Sequence, residues 1–69
     1  MIETHLYIDD APDNRGPAIV LNPAHILWAS EELVTDRGDS PDWFTRVRMI
    51  NHDEFVIFME WQEFVRAVK

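Results

Sequence analysis

Cysteine is absent from this 69-residue chain, and other common features are scarce. Without thiol groups, disulfide bonds and thiolate zinc sites are excluded. Glycine occurs only twice, which excludes a glycine-rich phosphate-binding loop. No run of 18 apolar residues exists, and residues 1–5 lack the basic region of a signal peptide. We therefore expect a soluble, cytoplasmic protein that does not bind membranes.

Basic side chains are also few, with six against 13 acidic ones and a formal net charge of -7. Residues 1–42 hold nine acids and two bases, whereas residues 43–69 hold four of each, so the first segment carries all of the net charge. Nucleic-acid binding requires a basic surface, so we expect no direct contact with nucleic acids. A basic protein partner fits the acidic segment.

The clearest structural pattern lies in residues 43–69. Alternating residues 43–50, a polar break and the apolar run 55–59 predict a hairpin. A helical stripe follows over residues 60–69, formed by Trp61, Phe64, Val65 and Val68. Further strands are predicted at residues 5–8, 18–21 and 25–29, with polar loops at 9–17 and 35–42. We predict one α+β domain over residues 1–69: a small antiparallel sheet of four to five strands, flat or curled, with one C-terminal amphipathic helix.

Several of the predicted strands are apolar on both faces, most clearly residues 55–59. Such runs indicate burial on both sides, and one short helix covers only one side of a sheet. The second side must then be covered by curling of the sheet or by another copy. We predict a homo-oligomer, which would also support the marginal core of so short a chain. Trp28, Trp43 and Trp61 fall at positions that we expect to face inward, and Trp43 is also the best candidate for an interface anchor.

The chain resembles the FlbD family of small flagellar-operon proteins, and short phage proteins of the same layout, over about residues 18–68. The resemblance rests on residues 18–26 (Ala-Ile-Val-Leu-Asn-Pro-Ala-His-Ile) and on residues 55–60, which lead into the amphipathic helix. The hairpin at residues 51–53 lacks the glycine usual in the family, and the loops at 9–17 and 35–42 are longer. The resemblance implies a small β-rich fold with a C-terminal helix, and it brings no catalytic residues.

Other motifs have ordinary structural explanations. Arg37-Gly38-Asp39 spells an integrin-binding tripeptide, but turns commonly use these residue types. The three histidines lie far apart in sequence, and the acidic loop 9–17 lacks the spacing of an EF-hand. No nucleophile elbow or paired-carboxylate site is visible. We expect no metal, no cofactor and no enzymatic activity.

The residues that we predict to contact a partner are acids of the second loop and the exposed side of the strand that follows: Asp36, Asp39, Asp42, Trp43, Arg46 and Arg48. The leading hypothesis is an acidic protein-binding module that self-associates, as a phage or mobile-element accessory protein. One alternative is an inhibitor that mimics nucleic acid with its loop acids. Another is an oligomeric sponge that holds a small anionic ligand between subunits through the two arginines.

Overall fold

A computed structural model of the chain describes residues 1–9, 12–34 and 42–69. Its elements are β1 (Ile2–Tyr7), a 3-10 turn (Pro12–Asn14), β2 (Arg15–Leu21), a 3-10 turn (Pro23–His25), β3 (Ile26–Val34), β4 (Asp42–Met49), β5 (Glu54–Glu60) and α1 (Trp61–Val68). The five strands form one open antiparallel sheet in the order β2-β1-β5-β4-β3. The predicted α+β class, with a small sheet and one C-terminal helix, is confirmed.

Each predicted strand is present, with shifted limits. The largest difference is β3, which continues through Ser30, Glu31 and Glu32 to Val34 instead of ending near residue 29. These three consecutive polar residues lie on an edge strand, where both faces can reach water, and Glu32 has a basic partner on β4. The helix begins at Trp61, one residue later than predicted, because Glu60 is still the last residue of β5.

The hydrophobic core lies between α1 and one side of the sheet, which we call the inner face. Val47 and Ile57 are completely buried there, and Phe64 of α1 packs against them. Ile2 and Leu21, paired across β1 and β2, complete the core at the other end of the sheet. The predicted inward face of the Trp43–Ile50 strand is therefore confirmed for its central residues, although Trp43 itself is 50% exposed.

The opposite side of the sheet, the outer face, is partly covered by side chains of the same chain. Phe44 is only 3% exposed, and its ring centroid lies 5.0 Å from that of Phe58 and 5.3 Å from that of Tyr7. The Arg15 guanidinium lies 5.0 Å from the centre of the Phe58 ring. This aromatic cluster covers part of the Phe58 side chain from within the same chain. The predicted homo-oligomer stays a prediction.

A bulge at Leu27 changes the expected orientation of Trp28. Ile26 pairs with Met49 and Trp28 with Arg48, so Leu27 is an extra residue without a β4 partner. An extra residue moves the following side chains to the other face. Trp28 consequently lies opposite Arg48 and is 41% exposed, so the prediction that it faces the core is wrong.

A second and larger bulge lies in β5, just before the helix. Thr45 pairs with Ile57 but Phe44 pairs with Glu60, so Phe58 and Met59 are two extra residues in the register of β5 with β4. The backbone carbonyl groups of these two bulge residues accept hydrogen bonds from hydroxyl groups of the flanking strands. The buried Thr45 donates to the carbonyl oxygen of Met59 at 3.0 Å, and Thr4 of β1 donates to that of Phe58 at 3.2 Å.

Candidate functional site

An open groove lies where the start of β4 and the junction of β5 with α1 meet β3. Its volume is about 300 Å³. We call it the tryptophan groove, and its lining residues are Glu31, Asp42, Trp43, Glu60, Trp61 and Gln62. Two indole rings and three carboxylates therefore share one small concavity.

The two tryptophans are held by different elements. Trp61 is the first residue of α1 and stacks on Phe64, with ring centroids 5.9 Å apart and an interplanar angle of 21°. Since Phe64 is anchored in the core, the Trp61 ring has a fixed support. Trp43 pairs across the sheet with Leu33, and both side chains remain close to half exposed. The β5 bulge precedes Glu60 directly and so sets where the helix, and with it Trp61, begins.

The electrostatic character of the groove is set by Glu31, Asp42 and Glu60. In the described part of the chain, neither Glu31 nor Glu60 has an ion-pair partner, and the Glu60 side chain makes no capping hydrogen bond. The N-terminus of α1 contributes a partial positive charge of only about half a unit. The carboxylates of Glu31 and Glu60 alone outweigh it, so the groove attracts cations rather than anions.

A second groove, of about 550 Å³, lies near the outer face, and Tyr7, Glu32 and Arg46 are among its lining residues. Arg46 Nε donates to Glu32 at 2.7 Å, and Arg46 Nη1 donates to Glu54 at 2.9 Å. Arg48 Nη1 donates to the other oxygen of Glu54 at 3.4 Å. Two arginines and two glutamates thus neutralise each other.

The pKa of Arg46 reflects this network. The hydrogen bond with Glu32 raises its pKa above the ordinary value, burial lowers it by a smaller amount, and Glu54 adds to the increase. The guanidinium is therefore charged and already engaged by carboxylates. Because these ion pairs are about one-third exposed, each contributes less than about 1 kcal/mol to stability.

The predicted partner-binding residues fall into three groups. Asp36 and Asp39 lie outside the described residues, as does the Arg37-Gly38-Asp39 tripeptide. Asp42 and Trp43 line the tryptophan groove. Arg46 and Arg48 lie on the outer face, on the opposite side of β4 from Trp43. Three loop acids of the nucleic-acid-mimic hypothesis, Asp10, Asp36 and Asp39, are outside the described residues, and that hypothesis stays a prediction.

Sequence reasoning did not assign Glu31, Glu60 or Trp61 to a site. Neighbouring residues of a strand point to opposite faces, so Glu32 binds Arg46 while Glu31 lines the groove. In the sequence, Glu60 and Trp61 stand where the apolar strand pattern changes to the helical stripe. They were therefore assigned only to the start of the helix. Only the juxtaposition of three separate segments brings these residues together.

Comparisons with protein-family models, curated proteins and solved structures give no match for this chain. The resemblance to the FlbD family therefore stays a prediction. Across the described ranges, no group of three or more His, Asp or Glu side chains has an arrangement that could hold a metal ion. None of the helices in those ranges is long and apolar enough to cross a membrane.

Proposed function

We propose that this chain is a small, acidic, non-enzymatic binding module that self-associates and holds a basic segment of a partner protein in the tryptophan groove. The observation that carries the proposal is the placement of Trp43 and Trp61 beside Glu31 and Glu60 in one open concavity. Exposed tryptophans are typical interface anchors, and an indole face also attracts a lysine or arginine side chain.

The preferred ligand is a cationic side chain on a flexible or extended segment. The groove is too small for a folded domain but accommodates one long side chain and its neighbours, given its volume of about 300 Å³. Carboxylates at the rim would pair with the charged end, while the rings contact the aliphatic stem. The net charge of -7 would speed the encounter with a basic partner at low salt.

The sponge hypothesis finds less support in the same geometry. An anion-binding site would need arginines that are not already neutralised by neighbouring carboxylates. Arg46 and Arg48 instead share Glu54, and Arg46 also binds Glu32. An anionic ligand would have to displace these internal partners, so we favour the cationic segment.

The tryptophan side chains offer a direct test of the proposal. An arginine-glycine repeat peptide should be titrated into the ¹⁵N-labelled protein at low salt, with the three indole N–H signals followed by NMR. We expect the Trp43 and Trp61 signals to shift together along one binding curve. Trp28, on the outer face, is an internal control whose signal should move little.

A pair of charge-matched variants separates the groove from the overall charge. Glu31→Gln combined with Glu60→Gln should weaken peptide binding roughly tenfold, since two carboxylates that face the ligand are lost. Glu3→Gln combined with Glu63→Gln removes the same charge from exposed positions outside the groove lining and should have a much smaller effect. Equal weakening in both double variants, or a Trp28 shift as large as the others, would reject the groove as the binding site.

A further inference from the structure

Strand β3 forms one edge of the sheet and is the longest strand of the protein. Among the described strands it pairs only with β4, so its other side presents backbone groups without a strand partner. It also carries three exposed apolar side chains: Leu27 at 51%, Trp28 at 41% and Leu33 at 44%. An edge of this kind is a template for pairing with another strand.

The opposite edge of the sheet differs in ways that discourage pairing. Strand β2 contains Pro17, which has no N–H to donate, and its register with β1 is interrupted between His5 and Tyr7. Its only large apolar side chain that is exposed is Val20. Strand β3 has no proline and no lysine in any of its nine positions. The two edges are therefore unequal, and β3 is the one open to a partner.

We infer that the occupant of this edge is a second copy of the chain, paired antiparallel through β3 about a two-fold axis at Ser30. An axis perpendicular to the sheet keeps both helices on the same side and puts residues of the same face opposite each other. With Ser30 at the centre, Trp28 lies opposite Glu32 of the second copy, and Ala29 lies opposite its Glu31. This inference rests on the proposed self-association. Glu31 lies both on this edge and in the lining of the tryptophan groove, so the test centres on Ser30, which is outside that lining.

Charge disfavours the registers that are centred further along β3 than Ser30. An axis at Glu31 or at Glu32 would set two identical carboxylates directly opposite each other, which is destabilising. With the axis at Ser30, Glu32 keeps its bond to Arg46 at 2.7 Å and gains an apolar neighbour in Trp28. The same arrangement brings Leu27 of one copy close to Leu33 of the other. Both of these exposed residues would then lose contact with water.

Because the chain contains no cysteine, an introduced cysteine is the only thiol that can form a disulfide cross-link. Directly opposite residues of antiparallel strands have Cα atoms about 4.5–5.5 Å apart, which is within the range of a disulfide. Ser30→Cys should therefore form a disulfide-linked dimer under mild oxidation. The matched control is Ala18→Cys, an exposed position on the β2 edge, which should cross-link at least about tenfold more slowly because the pairing raises the effective concentration only at Ser30.

Sedimentation supplies a readout without oxidation. The unmodified chain should sediment as a dimer at high micromolar concentration, and Ser30→Arg should be monomeric because two arginines then face each other. Ala18→Arg should remain dimeric. Salt should strengthen the dimer, since each copy carries a charge of -7, whereas it should weaken peptide binding in the groove. A monomeric unmodified chain, or faster cross-linking of Glu31→Cys than of Ser30→Cys, would overturn this interface and its register.

Discussion

Replacing Phe44 with alanine is expected to remove most of the stability of this protein. The side chain is 3% exposed and contacts both Tyr7 and Phe58, so its loss leaves a cavity under the outer face. Truncation of a buried phenylalanine costs about 3–5 kcal/mol. A core of this size seldom supplies more than about 3–5 kcal/mol in total. Urea denaturation followed by circular dichroism should show a large fall in the midpoint, or a chain that is already unfolded in buffer.

The neighbouring residue provides the matched control. Trp43 is larger than Phe44 but is 50% exposed, so Trp43→Ala should cost less than about 1 kcal/mol. Phe44→Leu keeps most of the apolar volume and should fall between the two variants. If Trp43→Ala proved the more damaging change, the aromatic cluster would not be a second core.

Replacing Thr45 with valine should destabilise the protein by about 1–3 kcal/mol, although the two side chains have nearly the same shape. The Thr45 hydroxyl is completely buried and donates to the Met59 carbonyl at 3.0 Å. Valine would leave that carbonyl group buried without this hydrogen bond, and the cost is its desolvation. Thermal unfolding by calorimetry should show a clear decrease in the melting temperature.

Serine and the second threonine test the interpretation of the Thr45 variant. Thr45→Ser keeps the hydroxyl group and should retain most of the stability that valine loses. Thr4→Val should have a similar but smaller effect, because Thr4 is less buried and its bond to the Phe58 carbonyl is longer, at 3.2 Å. Equal loss in the serine and valine variants would show that packing, rather than the hydrogen bond, determines the effect.

Local patterns were sufficient to predict the C-terminal half of the fold. Strands β4 and β5 and helix α1 follow from alternation and from the helical stripe, because each signal lies within one segment. The strand order could not be predicted in this way. Strand β1 lies between β2 and β5, and the bond from Thr4 to Phe58 joins residues 54 positions apart. Such pairings depend on contacts that no local window contains.

The two bulges explain most of the single side chains whose orientation or role the sequence did not predict. Strict alternation from Ile26 puts Trp28 toward the core, and one extra residue at Leu27 reverses that orientation. For a related reason, only part of the candidate site could be predicted from the sequence. Asp42 and Trp43 could be selected from sequence, but Glu60 and Trp61 join them only because β5 contains a two-residue bulge and then continues as a helix.

The length of the β5 bulge also determines on which face of the sheet the residues after it lie. Two extra residues, Phe58 and Met59, preserve the alternation of the strand, so the chain enters α1 on the side where Phe64 meets the core. Loss of one of them would turn the helix toward the outer face, whereas loss of both would shorten the strand without reversing it. Among natural variants of this protein, insertions and deletions at this point should therefore come in pairs.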